Sequence, residues 1–140
     1  MNIDSIKNGV VLDHIKAGTG MVLYKFLKLD ELDCPLAIIK NASRKKLGKK
    51  DIIKIDSPNF NFDLDVIGYI DPEITVDIIK DGKLVEKRHL ELPEKLTNIL
   101  TCKNPRCITS VEQELPHIFR LTDRENRVYR CAYCEAKAKN

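Results

Sequence analysis

Four cysteines near the C-terminal end constrain this chain more than any other feature. Four residues separate Cys102 from Cys107, two separate Cys131 from Cys134, and 23 lie between the pairs. Each close pair forms a tight turn that presents two thiolates to one ion, and a hairpin between the pairs brings the turns together. Four sulfurs at tetrahedral geometry favour Zn²⁺, with Zn–S of about 2.3 Å. Four protein ligands leave no open position for water, so one structural, non-catalytic Zn²⁺ per chain is expected. An iron–sulfur cluster is the rival, but only the second pair has the two-residue spacing common there. His117 lies between the pairs as a candidate replacement ligand, although four thiolates already complete the shell. Cys34, before Pro35, reads as a small buried residue.

The chain has 140 residues, 43% apolar and 32% charged, a globular composition. No apolar run approaches the length of a membrane span. The start, Met1-Asn2-Ile3-Asp4-Ser5, lacks the basic region and apolar core of a secretory signal, so a cytoplasmic location is expected. Cysteines in that compartment stay reduced, which again favours metal over disulfides. A boundary is suggested near Leu92-Pro93-Glu94, because Pro93 ends the preceding pattern and the clustered cysteines lie beyond it. Residues 1–92 form the expected first domain and 98–140 the second. The second is small enough to need a staple, and a metal-bound β-meander fits it.

The first domain reads as alternating sheet and helix. Val10–Ile15 is an expected strand, ended by Gly18 and Gly20. From Thr19 to Glu31, Val22, Leu23, Phe26, Leu27 and Leu29 recur at helical spacing. Leu36–Ile39 and Asp51–Asp56 read as strands, followed by a short helix over Phe62–Tyr69. Ile74–Lys80 and Lys83–His89 form a hairpin around Asp81-Gly82, a dipeptide suited to a type I′ turn. The order β-α-β-β-α-β with one further strand is the split βαβ, or ferredoxin-like, arrangement. The expected fold class is therefore α+β: a ferredoxin-like N-terminal domain and a small all-β metal-binding C-terminal domain.

The net charge of +3 is too small to mark a nucleic-acid binder by itself, but seven cations fall between Lys40 and Lys54 against the single acid Asp51. Arg44, Lys45 and Lys46 read as solvated loop charges. Lys50 and Lys54 stand at and within a strand, where a lysine is better placed for a defined anion contact. Asp13, His14 and Asp77 are polar residues among apolar strand residues: Asp13 suits ribose hydroxyls and His14 suits phosphate. Alternation puts Asp13 and His14 on opposite faces, so one ligand meets both only at a bend or strand end. Lys87 is a further phosphate cation. No Gly-rich phosphate loop, nucleophile–base pair or open metal site is evident, so no catalytic residue is expected.

These residues carry a family resemblance. Ile6-Lys7-Asn8-Gly9-Val10-Val11-Leu12-Asp13-His14-Ile15, Gly48-Lys49-Lys50-Asp51-Ile52-Ile53-Lys54-Ile55, Pro93-Glu94 and the four-cysteine spacing together resemble the regulatory chain of aspartate carbamoyltransferase over essentially the full length. The resemblance implies a non-catalytic subunit whose N-terminal allosteric domain pairs with a second regulatory chain. That domain binds CTP as inhibitor and ATP as activator, with UTP assisting CTP. The zinc domain docks on the catalytic chain, and six chains of each kind form an enzyme of pyrimidine biosynthesis.

Carried over onto this chain, the resemblance implies that Ile3, Asp4 and Ile6 line the base pocket, with Val11 packing nearby. Asp13 and Lys54 hold ribose and base, His14 and Lys87 meet phosphates, Lys50 approaches a second nucleotide, and Ile79 and Leu84 are apolar pocket positions. Asp77 stands near the phosphates where the family commonly has Asn, and Gly82 replaces a larger residue. A carboxylate at position 77 repels a triphosphate unless a metal ion or lysine intervenes.

Two other function classes compete. A zinc-ribbon nucleic-acid binder with a basic loop requires steeply salt-dependent affinity through Lys45, Lys46 and Lys49, yet the chain has four Tyr, four Phe and no Trp. A small enzyme of ferredoxin-like fold requires an acid–base constellation that is not evident. Neither nucleic acid nor membrane is an expected partner.

Overall fold

The computed structural model describes residues 6–44, 48–58 and 63–138. The chain divides into two compact units between Glu91 and Leu92.

In the first unit the elements are β1 (Gly9–Lys16), α1 (Gly20–Phe26), β2 (Leu36–Arg44), β3 (Gly48–Ile55), α2 (Leu64–Ile70), β4 (Thr75–Lys80) and β5 (Lys83–His89). The five strands form one sheet in the order β2-β3-β1-β4-β5, and every neighbouring pair is antiparallel. The first four strands and two helices reproduce the split βαβ order, with β5 added as an edge strand. Val10, Leu12 and Ile15 of β1, Ile53 and Ile55 of β3, and Ile74 and Val76 form the core with Leu23 of α1 and Ile67 of α2. Alternation along each strand leaves Val11, Lys54 and Asp77 off that core face.

Helix α1 is shorter than the apolar periodicity predicts. Lys28 adopts left-handed backbone angles and breaks the pattern, and Leu29–Glu31 continues only as a 3₁₀ turn. Asp63 caps α2 by accepting from the Asp65 and Val66 N–H groups; Phe62, the expected start, lies outside the described residues. At the β4–β5 turn, Asp81 and Gly82 both have positive φ, 52° and 76°, as a type I′ turn requires.

The second unit carries β6 (Lys95–Thr97), α3 (Ile108–Val111), β7 (Ile118–Asp123) and β8 (Val128–Cys131). The strands form an antiparallel sheet in the order β6-β7-β8. Strand β6 lies in the stretch that sequence reasoning leaves between its two domains, and it pairs with β7. Leu92, Leu96, Phe119 and Tyr129 are buried here with three of the clustered cysteines. Few apolar side chains serve this unit, as its size predicts. Among the described residues, no helix is long and apolar enough to cross a membrane.

Candidate functional site

The four clustered cysteines converge. Cys107 precedes α3, Cys131 ends β8, and the pairing of Phe119 with Cys131 anchors the second turn to the sheet. All four sulfurs lie within 4.8 Å of one another. Cys102 Sγ is 3.7 Å from Cys134 Sγ, and Cys107 Sγ is 3.7 Å from Cys131 Sγ. A tetrahedron with metal–sulfur bonds of about 2.3 Å has edges of about 3.8 Å, so the cage already has the dimensions of a four-thiolate zinc site.

Local hydrogen bonds tune the sulfurs in opposite directions. The Thr109 hydroxyl donates to Cys107 Sγ at 3.1 Å and, with the Thr109 backbone N–H, holds that thiol below its ordinary range. The Ala136 N–H and the Asn104 side chain bring Cys134 down to about 7. Burial pushes Cys102 up to about 12 and raises Cys131. Each 3.7 Å pair thus joins a sulfur whose pKa is lowered to one whose pKa is raised. A divalent cation supplies the positive charge that lets all four ionise. The donor set and spacing fit a thiophilic divalent ion that ties the two turns together and leaves no position for a reacting water. His117 is not one of its ligands: its Nδ1 accepts the Cys102 backbone N–H at 3.3 Å. It steadies the first turn from behind, a role that spacing alone does not reveal.

The other candidates gather on the sheet face opposite the core. Register carries a row across four strands: Lys54 of β3 lies opposite Val11 of β1, which lies opposite Asp77 of β4, which lies opposite Lys87 of β5. Beside it, Asp13 pairs with Thr75, and the Lys50 ammonium reaches the Asp13 carboxylate at 2.9 Å. His14 does not fall on the far face. The β1–β3 register shifts between Leu12 and Ile15, and His14 takes a φ of 59°. This bulge inserts one extra residue, so both Asp13 and His14 stand between the buried Leu12 and Ile15. The His14 ring then meets the Thr75 hydroxyl at 3.0 Å. The bend that the alternation argument demands is present.

Charge on this face is mixed. Burial pushes Asp13 up, but the hydrogen bonds from Lys50 and the His14 N–H prevail and its pKa is lowered. Asp77 is raised: burial dominates, Lys87 opposes it, and Asp13 adds to it. Asp77 Oδ1 is buried with no hydrogen-bond partner among the described residues.

The remaining candidates are spread more widely. Ile79 is half-buried and lies opposite Gly9 and Leu84. Leu84 is 55% exposed. The arm before β1 meets the β4–β5 turn, where the Gly82 N–H donates to the Lys7 carbonyl at 2.9 Å and the Asp81 N–H to Asn8 Oδ1 at 3.2 Å. Ile6 of that arm is half-buried beside Gly9. Ile3 and Asp4 lie outside the described residues, as do Lys45 and Lys46 of the basic loop.

The comparisons with known proteins agree with this two-part layout. Residues 1–91 match the model of the aspartate carbamoyltransferase regulatory chain, allosteric domain, and residues 94–140 that of its metal binding domain. A protein of Clostridium botulinum (strain Hall) described as an aspartate carbamoyltransferase regulatory chain is 52% identical over 135 residues, 96% of this chain and 92% of its own. A protein of the same description from Clostridium tetani is 49% identical over 96% of this chain and 94% of its own. One from Bifidobacterium longum is 42% identical over 99% of each.

Proposed function

The chain belongs to the family of aspartate carbamoyltransferase regulatory chains, with its allosteric and metal-binding domains, and from that premise we propose that it binds nucleoside triphosphates and passes their effect to a catalytic chain. It is a regulatory and not a catalytic chain. The face of β3, β1, β4 and β5 takes the nucleotide: Asp13 and Lys54 hold ribose and base, His14 and Lys87 the phosphates, and Lys50 a second nucleotide. Val11, Ile79 and Leu84 contribute apolar contacts, with Ile3, Asp4 and Ile6 of the arm at the base. CTP inhibits, ATP activates and UTP assists CTP. Two such chains pair through their allosteric domains, and one Zn²⁺ per chain, held by Cys102, Cys107, Cys131 and Cys134, shapes the surface that docks on the catalytic chain.

One observation carries this reading: the row Lys54–Val11–Asp77–Lys87, flanked by the Asp13–Lys50 pair and His14, shares a chain with a four-sulfur cage. The face offers cations for phosphate and a carboxylate for hydroxyls. The cage offers rigidity without reactivity.

The mechanism is linkage. A nucleotide shifts the activity of the catalytic chain only by its difference in affinity for two quaternary states, about 1–3 kcal/mol of coupling in such systems. The decisive experiment is affinity capture with this chain as bait, followed by titration of the captured complex with CTP and ATP. Co-purification of the catalytic chain and saturable nucleotide binding, weakened in Lys54→Met and Lys87→Met, are expected. Capture without a catalytic chain, or nucleotide binding indifferent to both substitutions, overturns the reading.

A further inference from the structure

We propose that Asp51, whose carboxylate lies on the core side of the sheet, is a positioning residue for the nucleotide face; the inference rests on the nucleotide reading above. Asp51 is fully buried on β3, between β2 and β1 in the sheet, and points to the core side, opposite to its neighbour Lys50. Its carboxylate accepts three backbone N–H groups. Oδ2 takes Gly18 at 3.1 Å and Gly20 at 3.0 Å, and Oδ1 takes Asn41 at 3.0 Å.

Asn41 lies in β2, at the point where that strand departs from regular pairing with β3, while Gly18 and Gly20 lie in the turn after β1 and at the start of α1, a few residues beyond the irregularity of β1. In β1, Asp13 and His14 face the single residue Ile52, and the register resumes at Ile15 opposite Asp51. In β2, Lys40 and Asn41 face Asp51 itself, between Ile39 opposite Ile52 and Ala42 opposite Lys50. Both irregularities contain a non-glycine residue at positive φ, His14 and Asn41, each at 59°. Such conformations persist only where the surroundings hold them. Asp51 adds to that hold on both sides: it clamps the extra residue of β2 directly and, on the other side, the turn into which β1 runs after the bulge that Asp13 closes.

The consequence for the nucleotide face follows from pairing. A slip of β1 by one residue turns every side chain beyond it to the other face. The clamp therefore keeps Asp13 and His14 on the same side and keeps Lys50 within reach of Asp13. Gly20 fits the same picture, because a Cβ there would lie 2.9 Å from Asp51 Oδ2. An asparagine at position 51 cannot serve both sides, since its amide nitrogen would face a donor.

The test uses the full, metal-loaded chain. In Asp51→Asn, CTP and ATP affinity by calorimetry falls by about tenfold at a temperature where the variant is folded. The His14 ring and Lys50 signals move in NMR spectra, while the metal content is unchanged. If Asp51→Asn does not fold, Gly20→Ala, which crowds the carboxylate without removing its charge, is read by the same titration with the same expectation. A folded variant that binds as the wild type does, with His14 signals unmoved, overturns the inference alone. A wild type that binds neither nucleotide overturns the nucleotide reading, and this inference with it.

Discussion

The Asp13 carboxylate and the Lys50 ammonium meet at 2.9 Å, with only 16% of one side chain and 19% of the other exposed. The contact closes over the β1 bulge, where Asp13 also accepts the His14 N–H at 2.6 Å. One carboxylate thus secures both the extra residue of the strand and the lysine beside it. Hydrogen bonds to a charged group in so sheltered a position are stronger than surface ion pairs.

Lys50→Met removes the ammonium and keeps the stem. Asp13 is held below the usual 3.8 by this partner, so the pair contributes stability above that pH and loses it as pH falls through the lowered folded value. The variant loses the Lys50 share of this acid-side dependence, the His14 N–H share remaining, and about 1–2 kcal/mol of stability. Its triphosphate affinity drops because Asp13 and Asp77 then face the anion with one cation fewer. Thermal unfolding from pH 7 to pH 3 checks the first point and calorimetry the second; an unshifted acid limb refutes the account.

Asp77 has the opposite sign. Burial raises its folded value above 3.8, so its favourable contribution is complete below that pH and declines as pH rises through the raised value. The same ionisation opposes a triphosphate on this face. Asp77→Asn is expected to strengthen CTP and ATP binding at neutral pH and to flatten the loss of affinity between acid and neutral solution. Its melting temperature at pH 7 should be no lower than the wild type's, since a carboxylate whose charge burial disfavours is replaced by a neutral amide. Equal or weaker nucleotide affinity in the variant counts against this view.

Where the sequence was legible, a local rule coincided with the tertiary result. Alternation in Val10–Ile15 and Asp51–Ile55 marks strands because one face meets the helices. Asp81-Gly82 marks the hairpin because both residues tolerate positive φ. The cysteine spacing marks the metal cage because ligand turns are local structures. Legibility ended where distant pairing decided. Strand β6 is three residues long with two exposed, and only its bonds to β7 make it a strand. Asp51 reads as one acid in a basic run until Gly18, Gly20 and Asn41 are brought to it. His117 reads as a spare ligand until its Nδ1 receives the Cys102 N–H. Helix α1 stops early because Lys28 turns left-handed, a choice that apolar periodicity does not encode.

Thr109 is a buried residue whose hydroxyl serves a sulfur rather than the backbone. Thr109→Val preserves shape and deletes the donor, so Cys107 loses the bond that favours its thiolate. Outer-shell groups of this kind are worth about 10–100-fold in metal affinity. Competition with a chromophoric chelator at fixed pH should show a loss within that range while the variant remains folded with metal in excess. Unchanged competition would show that the hydroxyl is incidental to the site.

Removing the metal tests the division of labour between the two units. The second unit has few buried apolar side chains, and its two cysteine turns meet at the cage. The start of the unit depends on the sheet as well: the Tyr129 hydroxyl donates to the Pro93 carbonyl at 2.6 Å and Arg124 to the Leu92 carbonyl at 3.1 Å. Ion binding is worth on the order of 10 kcal/mol in small zinc peptides, more than the net stability of many domains. A strong chelator should therefore collapse the NMR signals of residues 92–138 while those of the first unit's core, such as Leu12 and Ile53, persist. Native mass spectrometry should then find the catalytic chain released, and restoring Zn²⁺ should recover it. A complex that stays intact after complete metal removal would mean that docking does not depend on the cage.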